Sequence, residues 1–370
     1  MKQVCDFVRL SKYAGERFDL VQAGGGNTSV KISETEMLIK ASGLHLSEIE
    51  DNYGYCKVNF PKLIEFLNQE DYLLALNKQE LEEASAKCVS DSSSNSSQRP
   101  SIEIFLHSIL GKFVLHTHSL AVNSVVCRAN GIDLLKKDWK EKAVFVEYYT
   151  PGSELAIHLN RKIKEFKKQF KRSPQIVFLQ NHGLIVSTDS VDELISLNEQ
   201  VTVSIEKSMG FDFSEYRLTN QLSHLINAGS NSSSISYMST DSVINGFLLN
   251  RKELFFHLPI SPDQMVYCGP SPLEIRSIED SESVQNYRME FGVFPKVIIF
   301  ENKLFFIAQT LKKAKEIEEV LKFHLIILSV IPKPVYSLPM EELNYLVNWE
   351  AEKYRQNGNN HRVSEIIEKL

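Results

Sequence analysis

Two histidines one residue apart, His116 and His118, close an apolar run that begins at Phe113. On a strand, residues i and i+2 project to the same face. Two neutral imidazoles so placed can hold one divalent ion. Upstream, Glu103 opens an amphipathic stretch (Ile104, Phe105, Leu106, Ile109, Leu110) whose spacing predicts a helix. A carboxylate near two histidines serves as a ligand, a general base, or each in turn. A third imidazole would complete a catalytic site that keeps one position open. His182, in Gln-Asn-His-Gly after a second apolar strand, is the candidate. His107 lies four residues after Glu103 on the same helical face and is expected to pack or to support a ligand.

Two small-residue turns accompany this set. Residues 23–31 read Ala-Gly-Gly-Gly-Asn-Thr-Ser-Val-Lys. Three glycines allow a tight turn and bring backbone N–H groups close to a ligand. Alone, such a stretch is more often a plain turn, and no Gly-Lys-Ser/Thr follows to make it a Walker sequence. The second turn, Ala41-Ser42-Gly43, ends a strand over 36–40, with Lys40 beside it. Two such turns at one pocket would wrap a phosphate with N–H groups, a hydroxyl and a lysine.

The elements that must carry these residues follow from the apolar pattern. A helix is expected over 1–20, strands at 55–60 and 113–117, and mostly helix over 61–86. Residues 89–98 are polar and low in complexity, and read as a flexible loop: an inert insertion, or a lid that orders on substrate. A strand over 144–149 runs into Thr-Pro-Gly-Ser, which caps a helix from Glu154. Residues 176–186 form a hairpin turning at Asn181-His182-Gly183, followed by a helix over 191–208. The pattern gives a first domain over 1–228, which carries all of these candidates, and a linker at 228–240, rich in Ser, Asn and Gly. A smaller α/β module over 241–345 and a charged helical segment over 346–370 follow.

Bulk properties bound the function. At 370 residues, two or three domains are expected. A formal net charge of -6 argues against a nucleic-acid surface. Five scattered cysteines without a CxxC pair read as reduced thiols of a cytoplasmic protein. The N-terminus carries no secretory apolar segment, and the late apolar run Leu325–Ile331 is far short of the ~20 residues that a membrane helix needs.

With these pieces in hand, the chain resembles the class II aldolase/adducin family. Gly-Gly-Gly-Asn-Thr-Ser (24–29), Ala-Ser-Gly (41–43), Pro-Ser-Ile-Glu (100–103), His-Thr-His (116–118) and Asn-His-Gly-Leu (181–184) occur in the family's order. The likeness is greatest to the aldolase half of bifunctional rhamnulose-phosphate aldolase/short-chain dehydrogenase proteins, and no Rossmann glycine motif follows a strand in these 370 residues. The resemblance implies a three-layer α/β/α fold around a mainly antiparallel sheet, assembled as a homo-oligomer, a tetramer. It implies Zn2+, or another divalent metal, on His116, His118 and His182, with Glu103 as catalytic glutamate. It implies a phosphate cradle from Gly26, Asn27, Ser29, Ser42, Gly43 and Ser101, and places Tyr148 near the family's catalytic tyrosine.

The activity so implied is aldol cleavage or formation of a phosphorylated ketose, a small-molecule substrate, through an enediolate. The same architecture serves sugar-phosphate epimerases and a dehydratase, and adducin-like members are non-catalytic interaction proteins. Residues 295–307 also echo 174–186 at an offset of 121, aligning Pro295 with Pro174 and Asn302 with Asn181. Lys303 then falls on His182 and Leu304 on Gly183, so the smaller module reads as a degenerate, metal-free partial copy.

Overall fold

The computed structural model describes residues 2–93, 98–228 and 234–348. The chain divides into two compact units between Arg217 and Leu218. The first unit holds strands β1 (Asn27–Lys31), β2 (Glu36–Lys40), β3 (Tyr55–Asn59), β4 (Phe113–Thr117), β5 (Ala143–Val146), β6 (Ile176–Leu179) and β7 (Gly183–Thr188). They lie in the order β3-β2-β1-β4-β7-β6-β5. Every neighbouring pair is antiparallel except β5 with β6. Its helices are α1 (Lys2–Gly15), α2 (Phe60–Leu67), α3 (Glu70–Ala75), α4 (Lys78–Ser92), α5 (Ile104–Ser108), α6 (Leu120–Val126), α7 (Gly131–Trp139), α8 (Ser153–Phe170) and α9 (Val191–Met209).

The period-2 alternation of the strands makes the three layers. On β4, Phe113 and Leu115 join a core with Phe7 and Leu10 of α1, Val122 of α6 and Leu194 of α9. Val114 points the other way, into a core with Leu63 of α2, Phe105 of α5 and Leu155 of α8. Each fully buried side chain of this kind contributes roughly 1.5–3 kcal/mol, so both helix layers are held to the sheet that carries the site.

Three local expectations are corrected. The polar loop begins later than 89, because α4 runs on to Ser92. The Ser92 and Ser93 hydroxyls donate back to the carbonyls of Cys88 and Val89, both at 2.7 Å, satisfying in place the serines that suggested a loop. Residues 94–97 lie outside the described residues. The helix after Glu103 stops at Ser108, where the Lys31 ammonium takes the carbonyls of Ser108 and Leu110 at 2.9 and 2.5 Å. Helix α8 starts at Ser153, with Gly152 at its N-cap and no side-chain cap.

Helix α10 (Ser214–Asn227) spans the division between the units, which therefore falls before the Ser/Asn-rich stretch. Within that stretch lies a strand, β8 (Ile235–Met238), so residues 228–240 are not simply a linker. With β9 (Leu273–Glu274), β10 (Val297–Phe300) and β11 (Lys303–Ala308) it forms a second sheet in the order β8-β11-β10-β9. The second unit's helices are α11 (Ser242–Asn250), α12 (Pro262–Cys268), α13 (Ser281–Phe291), α14 (Leu311–Val330) and α15 (Met340–Asn348). Residues 349–370, expected to be helical, lie outside the described residues.

The second sheet has the connectivity of β4-β7-β6-β5. Its outer pair β8/β11 and its hairpin β10/β11 are antiparallel, and β9 runs parallel to β10, as in the first sheet. The register corrects the equivalence of Lys303 with His182. Leu179 pairs with Gly183 around a three-residue turn, Gln180-Asn181-His182. Phe300 pairs with Lys303 around two residues, Glu301 and Asn302, both at positive φ. Lys303 thus corresponds to Gly183, and the second turn has no position for His182.

Candidate metal centre

The sheet brings the sequence candidates together at one edge of its central strands. β1 and β4 pair so that Asn27 lies directly opposite His116. Asn27 also donates a short hydrogen bond from Nδ2 to Glu103 Oε2, which fixes the carboxylate over β1. Ser101 positions the same residue, accepting from the Glu103 N–H at 3.3 Å. His182 arrives on the β6–β7 turn, with Asn181 in the left-handed region at φ 54°. Gly183 permits this approach: a Cβ there would stand 2.2 Å from the Thr117 carbonyl. Gly25 does the same for His118, since a Cβ would stand 2.8 Å from its Nδ1.

The ligand atoms of His116, His118 and His182 lie within 4.8 Å of one another. His116 Nδ1 contacts the Leu184 carbonyl at 3.0 Å. A carbonyl only accepts, so Nδ1 carries the proton and Nε2 presents a lone pair. That Nε2 stands 3.2 Å from His182 Nε2 and 3.6 Å from Glu103 Oε2, while His182 Nε2 is 3.0 Å from Glu103 Oε1. Two ligands on one tetrahedral zinc at ~2.0–2.1 Å are separated by a similar distance. Glu103 Oε1 is buried and has no hydrogen-bond donor among the described residues. Converging lone pairs and an orphaned carboxylate oxygen are what a bound cation would satisfy, so the donor set fits a divalent ion.

The protonation states agree with that fit. Burial pushes His116 down to about 3 and lowers His118, keeping both imidazoles in the neutral, ligating form. Burial works to raise the Glu103 carboxyl, but the imidazoles of His116 and His182 hold it below the usual carboxylate range.

The cradle residues separate into two groups. Ser42 and Gly43 are exposed, and nothing lies within 4 Å of the place a Gly43 Cβ would occupy. Their turn is held from below, with the Ser42 N–H on the Arg99 carbonyl at 2.8 Å and the Ser101 N–H on the Lys40 carbonyl at 3.2 Å. Gly26, at φ 71°, shapes the first turn. Ser29 is fully buried, its hydroxyl 2.8 Å from His107 Nδ1, and so faces the protein rather than the open side. Tyr148 is 59% exposed and makes no hydrogen bond to the glutamate or the histidines; its neighbour Tyr149 stacks on His158 with ring centroids 3.6 Å apart.

Comparison with known proteins identifies the family. The sequence pattern of the Class II Aldolase and Adducin N-terminal domain matches residues 5–207. The chain belongs to the class II aldolase/adducin family. This aldolase-family chain is 29% identical over 196 residues to the "Uncharacterized oxidoreductase YuxG" of Bacillus subtilis, an alignment covering 50% of the chain and 26% of that protein. The match thus spans about a quarter of that relative's length. Among solved structures, the N-terminal class II aldolase domain of a conserved Thermoplasma acidophilum protein is 28% identical. It covers 55% of this chain and 92% of its own, with a TM-score of 0.45. A sugar-phosphate aldolase from Thermotoga maritima is 16% identical, with coverage of 57% and 97% and a TM-score of 0.39.

What sequence reasoning understated is the glycine packing. That Gly25 and Gly183 are clearances for His118 and for the strand behind His182 shows only once the strands are in register.

Proposed function

We propose that this chain is a metal-dependent class II aldolase, an aldehyde-lyase acting on a phosphorylated ketose. The observation that carries the reading is the convergence of His116, His118 and His182 on the buried Glu103 carboxylate, beside the Ser42–Gly43 turn. The three imidazoles would hold the ion, zinc by the character of three neutral nitrogen ligands. Bound there, it supplies Lewis-acid polarisation of a ketose carbonyl.

The chain's own residues do the rest. In the direction of synthesis, Glu103 Oε1 accepts the proton from the carbon beside the carbonyl, and the C–H electron pair moves toward the carbonyl carbon. In cleavage the same oxygen takes the proton of the hydroxyl on the carbon that departs as the aldehyde. The carbon–carbon bond breaks with its electron pair passing to the carbon beside the carbonyl, and the proton is returned there. Asn27 holds Oε2, so the free oxygen is the one presented. The open side of Ser42 and Gly43 seats the substrate's phosphate and fixes the carbonyl for reaction. In family terms we expect a homo-oligomer.

The experiment is metal analysis of the purified protein, followed by incubation with a panel of ketose 1-phosphates. The expected result is one zinc per chain and release of dihydroxyacetone phosphate from at least one sugar. An epimerised ketose without cleavage would reassign the reaction to epimerisation, and protein that takes up no divalent metal would overturn the enzymatic reading.

A further inference from the structure

The loops at the other end of the first sheet enclose a cavity of about 390 Å³. That volume falls within the roughly 300–1,000 Å³ of small-molecule sites. The loop between α5 and β4 supplies one wall with Ile109 and Gly111, and the end of β7 another with Ser187. Helix α8 and the turn after it supply a third with Ile163, Lys167 and Arg172. Gly111 precedes His116 by five positions. At the rise of a strand, roughly 15 Å of chain separates this cavity from the metal centre.

Its lining holds a surplus of donors. Ser187 is 4% exposed and accepts the Gly111 N–H at 2.7 Å, but its own O–H has no acceptor among the described residues. Lys167 and Arg172 have no carboxylate in ion-pair contact among the described residues, and Asp189, the one carboxylate of the lining, pairs with neither. Arg172 is nonetheless held in place. Its Nη2 donates to the Glu141 carbonyl at 2.5 Å, and its guanidinium carbon lies 5.4 Å from the centroid of the Phe166 ring. Most of its N–H fork stays free. An adjoining cavity shares Leu110 and Gly111 and is lined by the partly buried Lys31. Burial lowers that ammonium to about 8, Lys167 pushes it the same way, and no carboxylate opposes them. In a chain of net charge -6 this is a local excess of cations.

A buried hydroxyl with a proton to give, a positioned guanidinium and mutually repelling ammonium groups suit a partner that only accepts and carries negative charge. A neutral sugar would answer the hydroxyl and leave both cations uncompensated. A guanidinium fork beside an ammonium matches the oxygens of a phosphate ester. The cavity exceeds what a phosphate group alone fills, and Ile109, Leu110 and Ile163 give an apolar wall for a carbon body. We propose that this cavity is a second ligand site, separate from the metal centre, which takes a small phosphorylated metabolite with its phosphate on Arg172, Lys167 and the Ser187 hydroxyl. The assignment does not depend on the aldolase reading.

The test uses the full-length, zinc-loaded protein and pyridoxal 5′-phosphate as probe. Its aldehyde condenses with a lysine amine, losing water, and borohydride fixes the product as a secondary amine. Peptide mass mapping then reads each lysine separately. Helix α8 supplies the internal control, because Lys164 and Lys168 are exposed on it but do not line the cavity. We expect Lys167 to be labelled about tenfold faster than either, saturably, and Arg172→Gln to remove most of that advantage. Glycerol 3-phosphate should protect Lys167 at about tenfold lower concentration than glycerate, which offers a carboxylate in place of the phosphate. The wild-type comparison stands by itself if Arg172→Gln does not fold. Equal labelling of the three lysines, a Lys167 advantage that survives in folded Arg172→Gln, or equal protection by glycerate would each overturn the proposal. Selective, phosphate-protected labelling of a protein that cleaves no ketose would overturn the aldolase reading and leave this second site standing.

Discussion

Glu103 shows how much a single side chain's role depends on its surroundings. Its carboxylate is held by Asn27 on one oxygen and left free on the other, beside two imidazoles. Glu103→Gln keeps the shape but removes the proton acceptor. Turnover is expected to fall on the order of 10²-fold or more with zinc content retained; near-normal turnover would move the base elsewhere. The glycine clearances give a sharper residue-level contrast. Gly25→Ala drives a methyl against His118 Nδ1, whereas the nearest atom to a Cβ at Gly24 is a carbonyl oxygen 3.7 Å away. Neither glycine has positive φ, so the two substitutions differ in crowding rather than in backbone strain. Gly25→Ala should weaken zinc binding about 10- to 100-fold, the usual cost of disturbing a ligand's support, and Gly24→Ala should not. Competition with a zinc chelator measures both. The histidines were legible in the sequence because a strand's period of two is rigid. The fate of Ser29 was not, because period two puts it on the same face as Asn27 without showing that His107 covers it.

At the scale of elements, the hairpins are the most informative comparison. Pairing equates Met238 with His116 and, two residues on, Thr240 with His118. The caps follow the same equivalence: Ser119 and Asp241 each cap the next helix with a side-chain oxygen, and Ser190 and Thr310 do so for α9 and α14. We propose that the second unit is a partial copy of β4 to α9 that lost its metal site through these two exchanges and a turn one residue shorter. Sequence offset alone found the hairpin but misplaced Lys303, because a one-residue deletion in a turn is invisible until the strands are paired. The expected stoichiometry is one divalent ion per chain. Replacing His116, His118 or His182 by Ala should abolish it, since two imidazoles and a carboxylate make a poor site and the described residues of the second unit offer no substitute. Mass spectrometry of metal content after dialysis reads this directly; an ion retained by the His116→Ala protein would place a site in the copy.

Across the whole molecule, the sequence patterns anticipated the three-layer first unit well, because its cores alternate cleanly along each strand. The division was harder to see: it lies inside α10, whose apolar positions Leu222 and Ile226 join the second unit's core with Ile298 and Phe305. Composition pointed instead to the serines that follow. The second unit also holds a buried titratable group with a consequence for stability. His324 of α14 is 1% exposed. Gln264 Oε1 accepts from the Ile260 N–H at 3.0 Å, so its amide N–H faces His324 Nε2 at 2.9 Å, and that nitrogen must be the unprotonated one. Its Nδ1 has no hydrogen-bond partner among the described residues. Burial, with a smaller push from His257, lowers this imidazole to about 4. An unfolded histidine titrates near 6.5. Above that value both states are neutral and the residue adds no pH dependence. As pH falls from 6.5 toward 4 the unfolded chain binds a proton that the native state refuses, so stability drops, by about 3 kcal/mol once pH 4 is reached. His107 and His116 of the first unit, lowered to about 4 and 3 by burial, act in the same direction there. Scanning calorimetry at pH 7.5, 5.5 and 4.5 on wild type and His324→Gln separates the units. The variant should lose part of the acid destabilisation of the second unit's transition while leaving the first unit's unchanged. An equal acid shift of both transitions in the two proteins would mean that His324 is protonated in the native state and that its buried contact with Gln264 is not maintained in solution.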